Sequence, residues 1–160
     1  MTNQLETIYC FDTSAFINSW HRYHTPKVFP AIWEKISELA KSGRIIVCKE
    51  VQKEINNGND DLKTWFRTVN SCVQPYDTTQ FGIVADIVNK YPKVSHYNKP
   101  KPVHADPFVI ALAKVKKATV VTWEGGGGDP LNPKIPSLCK ENGVESCNMI
   151  QFFEKEGWTF

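Results

Sequence analysis

Long apolar runs are missing from this sequence, and so is a strong excess of charge of either sign. Its hydrophobic stretches fall far short of the roughly 18 residues that suggest a membrane span, and the opening MTNQLETIYC lacks the basic start and apolar centre of a secretory leader. A cytoplasmic protein with no membrane partner is therefore expected. Lys and Arg number 19 against 17 Asp and Glu, a net charge of +2. Any anionic partner must then be held by local patches, and a histone-like coat of charge is excluded. The five cysteines, Cys10, Cys48, Cys72, Cys139 and Cys147, include no C-x-x-C pair. Such spacing builds neither a disulfide framework nor a zinc ribbon, and reduced, mostly buried thiols are expected. The glycine run at 125–128 lacks the G-K-[ST] ending of a phosphate loop, and no G-x-G-x-x-G follows the first apolar run, which argues against a bound nucleotide cofactor. Low-complexity tracts and internal repeats are absent too.

What is present is an ordinary globular composition, 41% hydrophobic and 22% charged over 160 residues. That suits a single domain spanning 1–160 with one core. TIYCF is rich in β-formers and ends at Asp12, and TSAFINSWHRYH then places Phe16, Trp20 and Tyr23 at helical spacing. FPAIWEKISELAKSG puts Ile32, Ile36, Leu39 and Ala40 on one stripe and stops at Gly43. RIIVC is a second strand, and KEVQKEINNG a helix with Val51 and Ile55 four apart and Glu50 and Glu54 on a neighbouring face. DDLKTWFRTV reads as helix, and DTTQFGIVADIVNKYP as a helix capped by Asp77 and stopped at Pro92. KVSHYNKPKPVH reads as a loop. ADPFVIALAKVKK is a helix with Pro107 in its first turn and Phe108, Ile110, Ala111 and Leu112 as core. ATVVTWE is a third strand, GGGGDPLNP a flexible loop, and IPSLCKENG, VESCN and MIQFFEKEGW are helix, strand and helix. Strands alternating with helices predict an α/β fold, its parallel sheet covered on both faces.

In such folds ligands bind outside the carboxyl ends of the strands, where loops converge and helix N-termini point. Asp12 ends the first strand and Glu124 the third; Asp106 opens the helix before that third strand, and Glu54 lies on the helix after the second. Gathered at one edge, these four carboxylates require a cation, since two unit charges about 4 Å apart repel by about 4 kcal/mol at an effective dielectric of about 20. All-oxygen ligands suit Mg²⁺ or Mn²⁺. An ion so held activates water and stabilises a leaving oxygen, which makes phosphodiester hydrolysis the natural chemistry.

YCFDTSAFI resembles the opening strand and helix of PIN domains, the metal-dependent nuclease superfamily that includes ribonuclease toxins of bacterial toxin–antitoxin pairs. KEVQKEI is similar to the helix with the second family acid, HADPFVIALA to that with the third, and VVTWE to the strand ending in the fourth. The resemblance implies a PIN-like three-layer α/β/α sandwich with a mainly parallel central sheet. It also implies that Asp12, Glu54, Asp106 and Glu124 are the catalytic and metal-site acids, with Asp12 and Asp106 the most direct ligands. Thr13, Ser14 or Thr122 would position water or phosphate. The implied protein is a Mg²⁺- or Mn²⁺-dependent endoribonuclease with an RNA substrate, an antitoxin partner over the cleft, and often a homodimer. The chain departs from the pattern in having glutamate at 124 where the family usually has aspartate, in Pro107 after Asp106, and in the run WEGGGGD, which makes Asp129 a rival fourth acid.

Each residue also has a plainer reading. Asp12 and Asp106 suit helix capping, and Glu50 and Glu54 suit a solvated helix face. His21 and His24, three apart, have no cysteine or third histidine near them in sequence to complete a zinc site. Trp20, Trp33, Trp65 and Phe66 read as core or partner-groove aromatics rather than base-stacking platforms. Asp60, Asp61 and Asp86 read as surface or capping acids. Lys90, Lys93, Lys99 and Lys101 form a solvated loop that would also suit a nucleic-acid backbone. Two other functions compete with the nuclease: an inactive PIN-like binding or regulatory module, favoured by the glutamate at 124, and a hydrolase of small phosphate esters.

Overall fold

Tyr9, Cys10 and Phe11 are almost wholly excluded from solvent on both sides, so the strand they form (β1, Tyr9–Phe11) must lie inside the sheet. In the computed structural model, which describes residues 6–58, 60–95, 105–125 and 128–160, β1 is hydrogen-bonded in parallel to β2 (Ile45–Ile46) on one side and β3 (Thr119–Val121) on the other. Strand β6 (Ser146–Cys147) completes the order β2-β1-β3-β6. Alternation along β1 separates the two covering layers. Tyr9 and Phe11 meet Phe152 edge to face at 4.6 and 5.2 Å between ring centroids, and Phe11 also meets Phe16. The intervening Cys10 points the other way, its Sγ donating to the Val109 carbonyl oxygen at 3.6 Å. The result is the expected three-layer α/β/α sandwich.

The helices match the apolar stripes. They are α1 (Thr13–Asn18), α2 (Pro30–Lys41), α3 (Lys49–Asn57), α4 (Asp61–Arg67), α5 (Thr78–Lys90), α6 (Pro92–Ser95), α7 (Asp106–Lys116), α8 (Ile135–Glu141) and α9 (Met149–Glu156). Ile32, Ile36 and Ala40 of α2 are buried, as are Ile110, Ala111 and Leu112 of α7; Phe108 packs on the core only partly buried. Each fully buried large side chain contributes roughly 1.5–3 kcal/mol. Gly43, at φ +85°, occupies the left-handed position that ends α2. Asp60 and Asp77 cap α4 and α5 by accepting from the Lys63 and Gln80 amides. The tryptophans at 20, 33 and 65 form one cluster with centroids 4.8–5.6 Å apart, as expected of core aromatics.

Three local expectations change. The helix after Asp12 does not continue as α: at Ser19–Tyr23 it widens into a π-helical turn, closed by the His24 amide donating to the Ser19 carbonyl oxygen. Pro92 does not merely stop α5 but, lacking an amide hydrogen, starts α6. The stretch expected as a flexible loop carries an antiparallel hairpin, β4 (Gly128–Asp129) with β5 (Asn132–Pro133). Of the loop expected at 93–104, residues 96–104, with Lys99 and Lys101, lie outside the described residues, as does the Lys93 side chain. Lys90 pairs with Glu141. Among the described residues no helix is long and apolar enough to cross a membrane.

At the amino edge of the sheet, opposite the strand ends that carry the acids, Arg44 forks onto Glu156 at 2.6 and 2.8 Å. The Tyr9 hydroxyl donates to the same carboxylate at 2.6 Å, and Arg44 also donates to the Thr7 carbonyl oxygen. This clamp ties β1 and β2 to α9.

Candidate active site

The chain runs from β1 outward to β2 and then returns to the other side of β1 as β3, so strand order reverses between β1 and β3. A crevice opens at such a switch point, at the carboxyl ends of the strands. Phe11 pairs with Val121 in register, which places Asp12 beside Thr122. The Asp12 amide donates to the Val121 carbonyl oxygen at 3.0 Å.

Asp12 stands at the N-cap of α1 but makes no side-chain capping bond. Its Oδ2 accepts instead from Ser14 Oγ at 2.7 Å and Thr122 Oγ1 at 2.9 Å, and these two hydroxyls are 3.1 Å apart. The network continues: the Trp123 amide donates to Ser14 Oγ and the Glu124 amide to Thr122 Oγ1, each at 3.0 Å. Burial pushes the Asp12 carboxyl above its ordinary value; hydrogen bonds from the Ser14 and Thr122 hydroxyls and the Thr13 backbone amide oppose that shift, and the charge of Glu54 adds to it. Of the hydroxyls that the resemblance singled out, Ser14 and Thr122 hold Asp12, while Thr13 Oγ1 is buried with no hydrogen-bond partner among the described residues.

Asp106 is the first residue of α7, and Ala105 occupies the cap position. Burial, followed by the charges of Glu124, Asp12 and Glu54, holds its carboxyl well above the ordinary range. Asp106 therefore feels the charge of each of the other three acids singled out in the sequence, and Asp12 that of Glu54. The buried Cys139 of α8 feels three of these acids: burial first, then Asp12, Asp106 and Glu124, push its thiol up to about 12. Glu124 is half-buried, with Oε2 accepting from the Ile135 amide, the first of α8, at 3.0 Å. Asp129 lies in β4, and its side chain is outside the described residues.

Glu50 and Glu54 separate into different environments. Glu50 is buried, receives the Tyr76 hydroxyl, and lies 3.7 Å from Lys53. Glu54 is half-buried, and its charge is felt by both aspartates. The histidines diverge: His21 meets Asp60 at 3.0 Å, while His24 stacks at 6.2 Å from Trp123 and its Nδ1 is buried with no hydrogen-bond partner among the described residues. Sequence reasoning missed Ser19, which is fully buried and accepts from Trp123 Nε1 at 2.8 Å. A serine inside a helical stretch carries no signal of that role.

The donor set, four carboxylates and no nitrogen or sulfur, suits a hard divalent cation, which would offset both the burial that chiefly raises the Asp106 carboxyl and the charges of Glu124, Asp12 and Glu54 that add to it. Among the described residues no three acidic, histidine or cysteine side chains are drawn together closely enough to enclose an ion. Mg²⁺ commonly keeps several waters and takes only one or two carboxylates, so full enclosure is not required.

A family described as "Domain of unknown function (DUF4411)" matches residues 9–160. No curated protein is significantly similar in sequence. Among solved structures, a chain of VapBC2 from Rickettsia felis, bound to a DNA fragment from the promoter, superposes with a TM-score of 0.54 at 12% identity, covering 89% of this chain and 98% of that one. A chain of FitAB bound to the IR36 DNA fragment gives 0.54 at 14% identity, covering 88% and 94%. At such identities the likeness shows the fold, the PIN-like sandwich.

Proposed function

Since the chain belongs to the family of the domain of unknown function DUF4411 and has a PIN-like fold, we propose that it is a cytoplasmic metal-dependent ribonuclease. Its site is Asp12, Glu54, Asp106 and Glu124. The observation that carries this reading is the arrangement of Asp12: a buried carboxylate at the switch point, held by two hydroxyls instead of capping its helix, with its charge and those of Glu54 and Glu124 all felt by the buried Asp106. Asp12 and Asp106 would hold Mg²⁺ or Mn²⁺, with Glu54 and Glu124 bonding its waters. When bound, the cation lowers the pKa of a water and offsets charge on the phosphodiester. Within the chain, Ser14 and Thr122 fix Oδ2 of Asp12 and leave Oδ1 for the cation, and the half-buried Glu54 and Glu124 would serve as proton acceptors.

A toxin role with an antitoxin partner follows from the resemblance to PIN toxins, and the fold likeness to VapBC2 and FitAB supports it. The reading is tested by Mn²⁺-dependent cleavage of RNA by the purified chain beside Asp12→Asn and Asp106→Asn. Loss of cleavage in both folded variants supports the site; equal cleavage by all three removes it. The binding-module alternative draws on Glu124, whose Oε2 is already engaged by the Ile135 amide. Absence of both cleavage and Mn²⁺ binding by calorimetry would favour it.

A further inference from the structure

The π-helical turn Ser19–Tyr23 has a product that the acid site does not explain. It ends on Tyr23, 49% exposed, whose ring lies 4.5 Å from that of Trp123 at an interplanar angle of 34°. Trp123 stands between Thr122 and Glu124 and is fixed at both ends. Its amide donates to Ser14 Oγ, which holds Asp12, and its Nε1 donates to the buried Ser19 Oγ. Beyond it His24 lies nearly parallel, at 21°, and contacts Phe29 and Phe153 edge to face. Tyr23 is thus the solvent end of an aromatic stack rooted in the core, next to a residue adjoining two site positions. Arg22 and Lys27, both exposed, bring positive charge to the same segment.

We propose that Tyr23, backed by Trp123, is the stacking platform for a nucleobase of single-stranded RNA beside the bond to be cut. The proposal rests on the nuclease reading for the nature of its ligand. A lone exposed aromatic is ordinary. This one is held by a second ring, its support is hydrogen-bonded into the carboxylate network, and exposed cationic residues lie in the same segment of chain; single strands are bound by stacking on aromatic faces with positive charge along the backbone. The widening of the helix fits the frequent occurrence of such turns at functional sites. A ring already fixed by its neighbours loses little freedom when a base settles on it.

The test uses the full chain carrying Asp106→Asn to stop cleavage, and fluorescein-labelled oligouridylate and oligoadenylate, each also made with an abasic position at successive sites. Anisotropy gives the affinity. Tyr23→Ala is expected to weaken binding about 5- to 150-fold, the range of one base–aromatic stack, while Tyr23→Phe and Tyr23→Trp stay within about twofold. An abasic position at one site should cost the Tyr23 chain as much, and the Tyr23→Ala chain almost nothing. The proposal is overturned by Tyr23→Ala binding as tightly as its parent, by equal abasic costs in both, or by no RNA binding at all. Conversion of a dimer to a monomer by Tyr23→Ala, with RNA affinity unchanged, would make the ring a contact between copies and also overturn it. The two readings fail separately. Tyr23-dependent RNA binding with cleavage indifferent to Asp12→Asn removes the nuclease site alone. Cleavage that needs Asp12 but is indifferent to Tyr23 in KM and in binding removes the platform alone.

Discussion

Replacing Thr122 by valine keeps the shape of a buried side chain and removes one hydroxyl. That hydroxyl donates to Asp12 Oδ2 and accepts from the Glu124 amide. A hydrogen bond to an ionised group is worth about 1.5–3 kcal/mol, and an amide left without its partner adds to the loss, so Thr122→Val should cost about 2–4 kcal/mol at neutral pH. For a domain of this size that lowers Tm by about 4–16 °C. The pH dependence is the sharper part. Burial raises the Asp12 carboxyl above its ordinary value, against the pull of Ser14 and Thr122; without Thr122 it rises further. Asp12 then takes up its proton at higher pH in the variant. The penalty should be least in acid, where Asp12 is protonated in both proteins, and should grow as pH rises through the folded value. Urea unfolding of both proteins across pH 4 to 8 measures this. A difference below about 0.5 kcal/mol at neutral pH, or one independent of pH, would refute the clamp as the main support of Asp12.

Asp106→Asn should stabilise the cation-free protein: a carboxyl raised by burial and by Glu124, Asp12 and Glu54 weighs more against folding as pH rises above its ordinary value of 3.8, so the gain in Tm should widen toward neutral pH. Mn²⁺ at about 100 times its Kd should add about 2.7 kcal/mol to the parent chain, seen as a rise in Tm that Asp12→Asn and Asp106→Asn abolish. Glu54→Gln should abolish RNA cleavage, whereas Glu50→Gln, which alters the buried acceptor of Tyr76, should lower Tm and leave cleavage in place. Glu156→Gln should cost about 1.5–3 kcal/mol by breaking the Arg44 fork. Burial pushes Glu156 up, but Arg44 and Tyr9 outweigh it and hold the carboxyl low. Its contribution is therefore present above the ordinary glutamate value and lost as pH falls through the folded one, which acid titration of Tm in parent and variant would show.

Much of this arrangement was legible in the sequence because each signal was local. Short β-former runs and apolar stripes placed every strand of the parallel sheet and the main helices, and Asp12 and Glu124 followed strand ends by simple position. Thr122 as the clamp of Asp12 was not legible from spacing, since the two lie 110 residues apart and only the β1–β3 register joins them. The widened turn at Ser19–Tyr23 was hidden for another reason: its aromatic spacing fits an ordinary helix, and the bond that joins Ser19 to Trp123 spans 104 residues. The hairpin at 128–133 was masked by glycine and proline, which signal chain reversal without saying whether its two arms pair.

The five free, buried cysteines give the protein an internal set of clocks. Burial suppresses the thiolate in each, and only the thiolate reacts, so a thiol reagent at neutral pH reads how often each region opens rather than how reactive its sulfur is. The positions are well distributed: Cys10 in the central strand, Cys48 and Cys72 toward the β2 side, Cys147 in the far strand, and Cys139 in α8, where it feels Asp12, Asp106 and Glu124. Whatever settles into the cleft should slow the clock at Cys139 and Cys10 before it slows the others, so occupancy of the site could be followed by mass spectrometry with no substrate and no turnover.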